Sequence, residues 1–499
     1  MTITHTFLKT IREKSSRQPV SKLFIHKGTC GMATDIVSAC EDLGIIDLAT
    51  SLNAEIVETS CDGRCWAAPS VTVQKIDDAG AAYSRRFDRI DLGIDLEEFT
   101  EVIDLATVHN VFDDGVTGLT SRFGQLDGSL LAAVELGAYS VAEKVFLQDQ
   151  KSVLSRIEAS KLSGRGGAHF PTGLKWKLAA QNTGPRYLVV NAEEGEPGVF
   201  KDRHLLEADP HRLIEGILIC CYVVGIEKAF VYVNGQAHKA IESLSRALEQ
   251  ARSSGIMGSE FLPERMSVDI EVRAGAGGYV CGEESVILNS IEGERPVPRF
   301  KPPFATDQGL WGMPTVINNV ETLAAVTTLW QDFPPPTKLV SLSGNVTRPG
   351  VYEVPADGTL SWNGFLLSVG AKLETVPALL LGGPSGIFVP RDKFEERIEM
   401  KNIGAGGIFV LSPESSIKEI TNSLAGYNER ESCGECTPCR EGTIRLTELL
   451  QQEAVDLQKV DELIEVMEEA SLCMLGGMAG RPVKSAIENF PASWISTDR

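Results

Sequence analysis

Ala229-Phe-Val-Tyr-Val233, His238 through Ser253, and Ser267-Val-Asp-Ile-Glu-Val272 read in order as strand, helix and strand. The outer runs are short and rich in apolar, β-branched and aromatic residues, whereas the long middle segment has a helical period. The same alternation extends outward. A strand at Arg186 to Val190 and an apolar helix at His211 to Val224 precede it, and a glycine loop and a helix at Glu283 to Glu292 follow. Strands alternating with helices predict a parallel sheet covered on both faces, so the fold class is α/β. Ligands of such a sheet sit beyond the carboxyl ends of its strands.

Further out, the chain changes character. Lys22 to His26, a helix from Met32 to Leu43, and strands at Ala54 to Thr59 and Ser70 to Lys75 make a small α/β unit, assigned residues 1–95. Residues 96–134 are an acidic, weakly patterned connector, and a helix-like stretch from Ser140 to Leu162 opens the central domain, 135–331. Consecutive prolines near residue 334 mark the next boundary. The β-rich module takes 332–405 and a helical region 406–499, in which Leu457, Val460, Leu463, Ile464 and Met467 form one apolar face. With 499 residues, 43% of them hydrophobic, the chain can bury several cores. Its net charge of −21 disfavours nucleic acid and anionic membrane surfaces, so an anionic ligand needs a local positive pocket. The first twenty residues carry no apolar segment and no run approaches the roughly 18 residues of a membrane span, so the expected location is cytoplasmic, with no membrane insertion.

Cys433, Cys436 and Cys439 lie in Glu431-Ser-Cys-Gly-Glu-Cys-Thr-Pro-Cys-Arg-Glu-Gly442, with Cys473 beyond a helical segment. Two-residue spacers let one loop wrap three corners of a 4Fe-4S cubane while a distant thiolate closes the fourth. Zinc competes for such ligands but usually takes them as two pairs, and nothing points to an oxidising compartment that would favour disulfides. Cys220 and Cys221, inside an apolar run, are expected to be core residues.

Two glycine loops flank the sheet region. In Gly164-Arg165-Gly166-Gly167-Ala168-His169-Phe170, followed by Lys175 and Trp176, glycines let backbone N–H groups close on a phosphate, Lys175 can neutralise it, and the aromatics can flank a flat ring. The second, Arg273 to Glu284, follows a strand and opens a helix; valine at 280 departs from the dinucleotide fingerprint, and the loop is no P-loop either. Asn191 to Gly198 is an acidic loop suited to ribityl or ribose hydroxyls. Lys301 to Phe304 and Asn318 to Thr322 complete the polar loops at this end.

These motifs, in this order over about residues 135 to 490, resemble the NADH-binding flavoprotein subunit of respiratory complex I and its soluble relatives in NAD-dependent formate dehydrogenases and NAD-linked hydrogenases. The resemblance implies FMN held by Gly164, Gly166, Lys175, Asn191, Glu193, Tyr279, Gly282, Glu283, Asn318, Asn319 and Thr322, with Arg165, Gly167 and Glu194 as further cofactor-binding candidates. It implies NAD(H) near Phe170, Glu196, Glu284, Lys301 and Phe304, and a 4Fe-4S cluster on Cys433, Cys436, Cys439 and Cys473. It further implies a ubiquitin-like β-grasp module and a C-terminal helical bundle. The N-terminal unit resembles a thioredoxin-like 2Fe-2S ferredoxin, with Cys30, Cys61 and Cys65 as ligands and His26 or Cys40 left to supply the fourth. Three positions depart from the family pattern: His169 stands for a glycine, Leu178 for an aromatic and Glu193 for an aspartate.

The implied activity is that of a diaphorase: hydride passes between nicotinamide and flavin, single electrons pass to the cluster, and no side chain acts as acid or base. The expected setting is a larger soluble complex of the formate dehydrogenase or hydrogenase type, with a small 2Fe-2S thioredoxin-like subunit and a larger iron-sulfur subunit as partners. The alternatives are a complex I-type quinone reductase subunit, an electron-bifurcating flavin subunit, and an electron-transfer scaffold without nucleotide turnover. The carboxylates of Glu193, Glu196 and Glu284 favour NADH over NADPH, whose 2′-phosphate they would repel.

Overall fold

A computed structural model describes residues 22–27, 35–51, 54–59, 70–76, 82–87, 118–263, 266–330 and 336–494. In the N-terminal unit, β1 (Lys22–His26) pairs parallel with β2 (Glu55–Thr59) and antiparallel with β3 (Val71–Ile76), which pairs antiparallel with β4 (Ala82–Phe87). The sheet order is β2-β1-β3-β4. Leu23, Ile25, Val71 and Val73 pack against Ile36, Cys40, Ile45 and Ala49 of two short helices, Ile36–Asp42 and Ile45–Ser51. Sequence patterning found the first three strands and missed β4 and the second helix.

The central sheet is wholly parallel: β5 (Tyr187–Ala192), β6 (Lys228–Asn234), β7 (Asp269–Gly275) and β8 (Thr315–Asn319) lie in the order β7-β6-β5-β8. Its inner strands β5 and β6 are largely continuous apolar runs because both faces are covered, whereas the edge strand β7 carries Asp269, Glu271 and Arg273. Leu188 and Val190 point to one core with Ala229, Val231 and Val316; Val189 points to the other with Phe230, Tyr232 and Ile317. The helix Pro210–Val224 is buried throughout except at Tyr222, which places Cys220 and Cys221 in the core as expected. Its Gly216 lies so close to the helix Val320–Val326 that a Cβ would meet the Leu323 carbonyl oxygen at 2.1 Å. The stretch expected to be one helix from Ser140 to Leu162 is two, Ser140–Phe146 and Gln150–Ala159. Asp149 starts the second by accepting from the Ser152 N–H at 3.1 Å.

The β-rich module contains β9 (Thr337–Gly344), β10 (Gly350–Pro355), β12 (Ala378–Leu381), β13 (Ile387–Pro390) and β15 (Gly407–Val410), in the order β10-β9-β15-β12-β13. A ribbon of β11 (Asp357–Ser361) and β14 (Arg397–Glu399) stands beside it. β9 and β15 pair parallel at the centre, and the helix Trp362–Ser368 packs on one face. The boundary expected at 405/406 therefore needs correction. It would cut off the central strand, whose four residues are too short to show a strand period and adjoin the Gly404–Gly407 run.

Helices Ile417–Glu431, Thr437–Leu450, Leu457–Ala470, Met474–Met478 and Arg481–Asn489 follow. Leu446, Val460, Ile464 and Val483 pack against Ala378, Leu380 and Phe388 on the other face of this sheet. Of the expected apolar stripe, Val460, Ile464 and Met467 are buried and Leu457 is exposed. Among the described residues, no helix is long and apolar enough to cross a membrane.

Candidate functional site

Four loops meet at the carboxyl edge of the central sheet. The first leaves β5. Asn191 Nδ2 donates to the Gly282 carbonyl at 2.8 Å and its Oδ1 accepts from the Glu193 N–H, which ties this loop to the one after β7. Glu193 accepts from Asn234 Nδ2 through Oε1, while Oε2 is buried with no partner, and burial pushes its carboxyl up to about 7. Glu196 accepts from the Ser385 hydroxyl at 2.6 Å and is likewise pushed by burial up to about 7. Glu194 behaves differently. Both its oxygens accept from backbone N–H groups, of Asp202 at 2.8 Å and Arg203 at 3.0 Å, so it holds the start of the helix Lys201–Ala208 rather than facing a ligand.

The loop after β7 turns through Gly277 and Gly278, with φ of 79° and 137°, into the short turn Tyr279–Gly282. Glu283 caps the helix Glu284–Glu292: its Oε2 accepts from the Ser285 and Val286 N–H groups, and its Oε1 pairs with Lys301 at 2.8 Å. Glu284 meets Lys301 at 2.7 Å and Lys175 at 3.8 Å; against its burial, these cations hold its carboxyl below the ordinary range. With Glu284 paired to two lysines and burial lifting Glu193 and Glu196, the three carboxylates present less negative charge to a 2′-phosphate than the sequence suggests.

The glycine loop Gly164–Gly167 meets the end of β8 at Asn319 and the helix Val320–Val326 at Thr322. The Gly164 N–H donates to the Phe170 carbonyl and the Arg165 N–H to Thr322 Oγ1 at 2.8 Å. A Cβ on Gly166 would lie in ordinary contact with the Asn319 side chain, so the two loops run side by side. Lys175 Nζ donates to the Ile317 carbonyl and lies 5.7 Å from the centre of the Phe170 ring. The Arg165 side chain turns inward to Met400 Sδ, with Nε buried and unpartnered. Asn318 accepts from Trp176 Nε1, and Asn319 donates to Asp202 while capping the next helix. Trp176, expected to flank a ring beside Phe170, is instead fully buried, its indole serving only Asn318. The rim is apolar: Phe170, Leu174, Leu178 and Phe304 are all exposed. His169 has φ 53°, which explains why glycine is usual there, and its Nδ1 is buried without a partner.

Behind the loops lies a set of charges that sequence reasoning missed. Glu321, fully buried, meets Lys201 at 2.8 Å and Lys338 at 3.2 Å, and Lys338 Nζ also donates to the Arg165 carbonyl. Nothing in the local pattern marks these residues, because Lys338 comes from β9 in another module.

The cysteines occupy the ends of helices. Cys436 precedes Thr437–Leu450, Cys439 lies in its first turn, and Cys473 precedes Met474–Met478. The Leu472 N–H approaches Cys436 Sγ at 3.4 Å, bringing the distant strand of chain to the hairpin, and Ser432 Oγ lies 3.3 Å from Cys439 Sγ. All four are free thiols, and burial followed by the neighbouring thiols pushes Cys439 up to about 11. Among the described residues no three His, Cys, Asp or Glu side chains close on a single ion. A cubane asks for wider sulfur spacing than one zinc with Zn–S about 2.3 Å. In the N-terminal unit, Cys30, Cys61 and Cys65 lie outside the described residues. His26 is buried with its ring nitrogens on the Thr59 and Thr72 hydroxyls, and Cys40 is in the core, so neither is poised as a fourth ligand.

The residues fit the groups expected. The unpartnered Glu193 Oε2 is an acceptor for a ribityl hydroxyl, Lys175 and the loop N–H groups suit a phosphate, and the four thiols suit iron. Comparison with known proteins agrees. The family profile described as Nuo51 FMN-binding domain matches residues 157–328, and that described as NADH-ubiquinone oxidoreductase-F iron-sulfur binding region matches 419–496. The chain is 38% identical over 379 residues to the F subunit of the NADH-quinone oxidoreductase of Aquifex aeolicus (strain VF5), covering 72% of this chain and 88% of that one. It is 36% identical over 401 residues to the F 2 subunit of the NADH-quinone oxidoreductase of Rhizobium meliloti (strain 1021), covering 74% and 94%. A crystal structure of an NAD+-reducing [NiFe]-hydrogenase in the H2-reduced state matches with a TM-score of 0.67 at 28% identity, over 99% of this chain and 88% of that chain.

Proposed function

Since the chain belongs to the family of NADH-quinone oxidoreductase F subunits, we propose that it serves as the diaphorase subunit of a complex of the formate dehydrogenase or hydrogenase type. It is an oxidoreductase of NAD(H) that carries FMN and a 4Fe-4S cluster. The observation that carries the reading is the meeting of the loops at one sheet edge, with the last turn of the helix Ile417–Glu431 seated on two of them just before the cysteine loop. When bound, FMN exchanges a hydride with NAD(H) and single electrons with the cluster. The chain's own residues hold and orient. Gly164, Gly166, Gly167 and Lys175 would take the phosphate, Asn191 and Glu193 the ribityl chain, and Tyr279 to Glu283 the ring edge. Phe170, Phe304, Glu196 and Glu284 would receive the nucleotide, with Lys301 balancing the charge of Glu284. The side chains of Glu194 and Arg165 are engaged elsewhere and would not meet the cofactors. Cys433, Cys436, Cys439 and Cys473 would ligate the cluster.

The hydrogenase-type setting is favoured over the complex I type by coverage. The quinone-reductase relatives leave about a quarter of this chain unmatched, whereas the hydrogenase chain spans 99% of it. The order β2-β1-β3-β4 supports a thioredoxin-like N-terminal domain, and β10-β9-β15-β12-β13 around a single helix supports a β-grasp module ending at residue 410. A small 2Fe-2S thioredoxin-like subunit and a larger iron-sulfur subunit remain the expected partners, in the cytoplasm. Purified protein with FMN bound is expected to reduce ferricyanide or a viologen rapidly with NADH; an FMN-free chain indifferent to NADH would establish the scaffold reading instead. Subunits that copurify would identify the parent complex. His169→Gly, which removes both an imidazole and a left-handed non-glycine residue, is expected to shift the flavin midpoint potential or the nucleotide affinity. Equal values for both would show the imidazole to be without influence.

A further inference from the structure

One helical turn holds the loops after β5 and β7 and leads directly into the cysteine loop. At the end of Ile417–Glu431, Glu431 Oε2 accepts from the Tyr279 N–H at 2.7 Å. A turn earlier, Tyr427 donates its hydroxyl to the Gly195 carbonyl at 2.9 Å and sets its ring edge against Tyr279, with centroids 6.0 Å apart. Between them the buried Asn428 donates to the Pro384 carbonyl, beside the Ser385 hydroxyl that holds Glu196. Two residues past Glu431 comes Cys433. The approach is close enough that a Cβ on Gly278 would lie 3.6 Å from the Glu431 carboxylate.

Side chains at i and i+4 share a helix face, so Tyr427 and Glu431 act on the flavin-side loops together while the same backbone continues into the cluster hairpin. We propose that this turn sets the separation between the flavin loops and the cluster loop, with Glu431 as a positioning residue for electron passage between them. The inference rests on the cofactor placement proposed above. The step it serves is transfer of one electron from reduced FMN to the oxidised cluster, with no bond made or broken. Its rate depends on geometry that Glu431 holds through the Tyr279 N–H.

The test uses Glu431→Ala and Glu431→Gln in the full chain with its copurifying subunits, measuring FMN and iron per chain, hydrogen exchange at the Tyr279 amide, and the freeze-quenched EPR signal of the cluster after mixing with NADH. In Glu431→Ala the Tyr279 amide is expected to lose protection and the cluster signal to rise about tenfold more slowly per FMN- and iron-loaded chain. Glu431→Gln, whose amide oxygen still accepts, is expected to recover most of both. Cluster reduction at the wild-type rate in Glu431→Ala, or slowing that only tracks lost FMN or iron, overturns the proposal. Should Glu431→Ala not fold, Tyr427→Phe carries the same test, with slower cluster reduction expected and an unchanged rate overturning it. Wild-type protein lacking FMN or iron would instead overturn the cofactor placement itself, a separate outcome visible before any variant is made.

Discussion

Cys473→Ser is expected to abolish the iron-sulfur centre. Cys473 stands 34 residues past Cys439 at the start of a short helix, held beside the hairpin by the contact of the Leu472 N–H with Cys436 Sγ. Without Cys473 one iron of the cubane loses its sulfur ligand, and a serine oxygen is a hard, poorly matched replacement. Losing even an outer-shell partner of a metal ligand typically costs 10–100-fold, so loss of the ligand itself should lower electron delivery beyond the flavin by about 100-fold or more. Iron and acid-labile sulfide per chain, with the EPR signal after NADH, measure this directly. A serine variant with wild-type iron content and an unaltered signal would remove Cys473 from the ligand set.

Glu321→Gln is expected to be the most destabilising single change in the central domain. Glu321 is wholly buried, and its oxygens serve Lys201, Lys338 and the Leu339 N–H. An amide of the same shape leaves two buried ammonium groups undercompensated, and breaking a buried pair from one side costs about 3–5 kcal/mol. Glu321 favours the charged form of both lysines, but their other surroundings differ. Lys201, nearer to it and also paired with Asp202 at 2.7 Å, is held above its ordinary range despite burial, whereas burial pulls Lys338 down to about 8. Lys201 is therefore the principal partner. Against its own burial, the surrounding cations hold Glu321 at about 2 in the folded chain. A carboxyl with a depressed folded value contributes its full stability above the unfolded value near 4.5 and loses it as pH falls toward 2. Urea unfolding of the wild type should therefore weaken through that window, and the glutamine variant should lack this component. Because Lys338 also holds the Arg165 carbonyl, the variant should release FMN more readily; undiminished stability and FMN retention would mean that the cluster of charges is dispensable.

The central α/β domain was readable because its evidence is local. Runs such as Ala229 to Val233 are apolar on both faces, and the helix His238–Ser253 came out with the boundaries the pattern predicted. The cysteine spacing likewise states its chemistry within one loop. The failures have a common cause. Trp176 looks like a ring-flanking aromatic and Glu194 like a ligand-facing acid, yet one is drawn into the core by Asn318 and the other is used up by two N–H groups. β15 was lost because four residues beside a glycine run carry no period, although they complete a sheet begun some 70 residues earlier.

From the order of residues alone follow the parallel sheet, the loops at its carboxyl edge, the thiols for iron and the family resemblance, since periodicity and spacing are properties of neighbours along the chain. Which carboxylates face the pocket, which lysine balances Glu321, and how Glu431 reaches Tyr279 across 152 positions belong to the folded molecule. Those choices are made by burial and by the need to satisfy every buried polar group, and such conditions exist only once distant segments have come together.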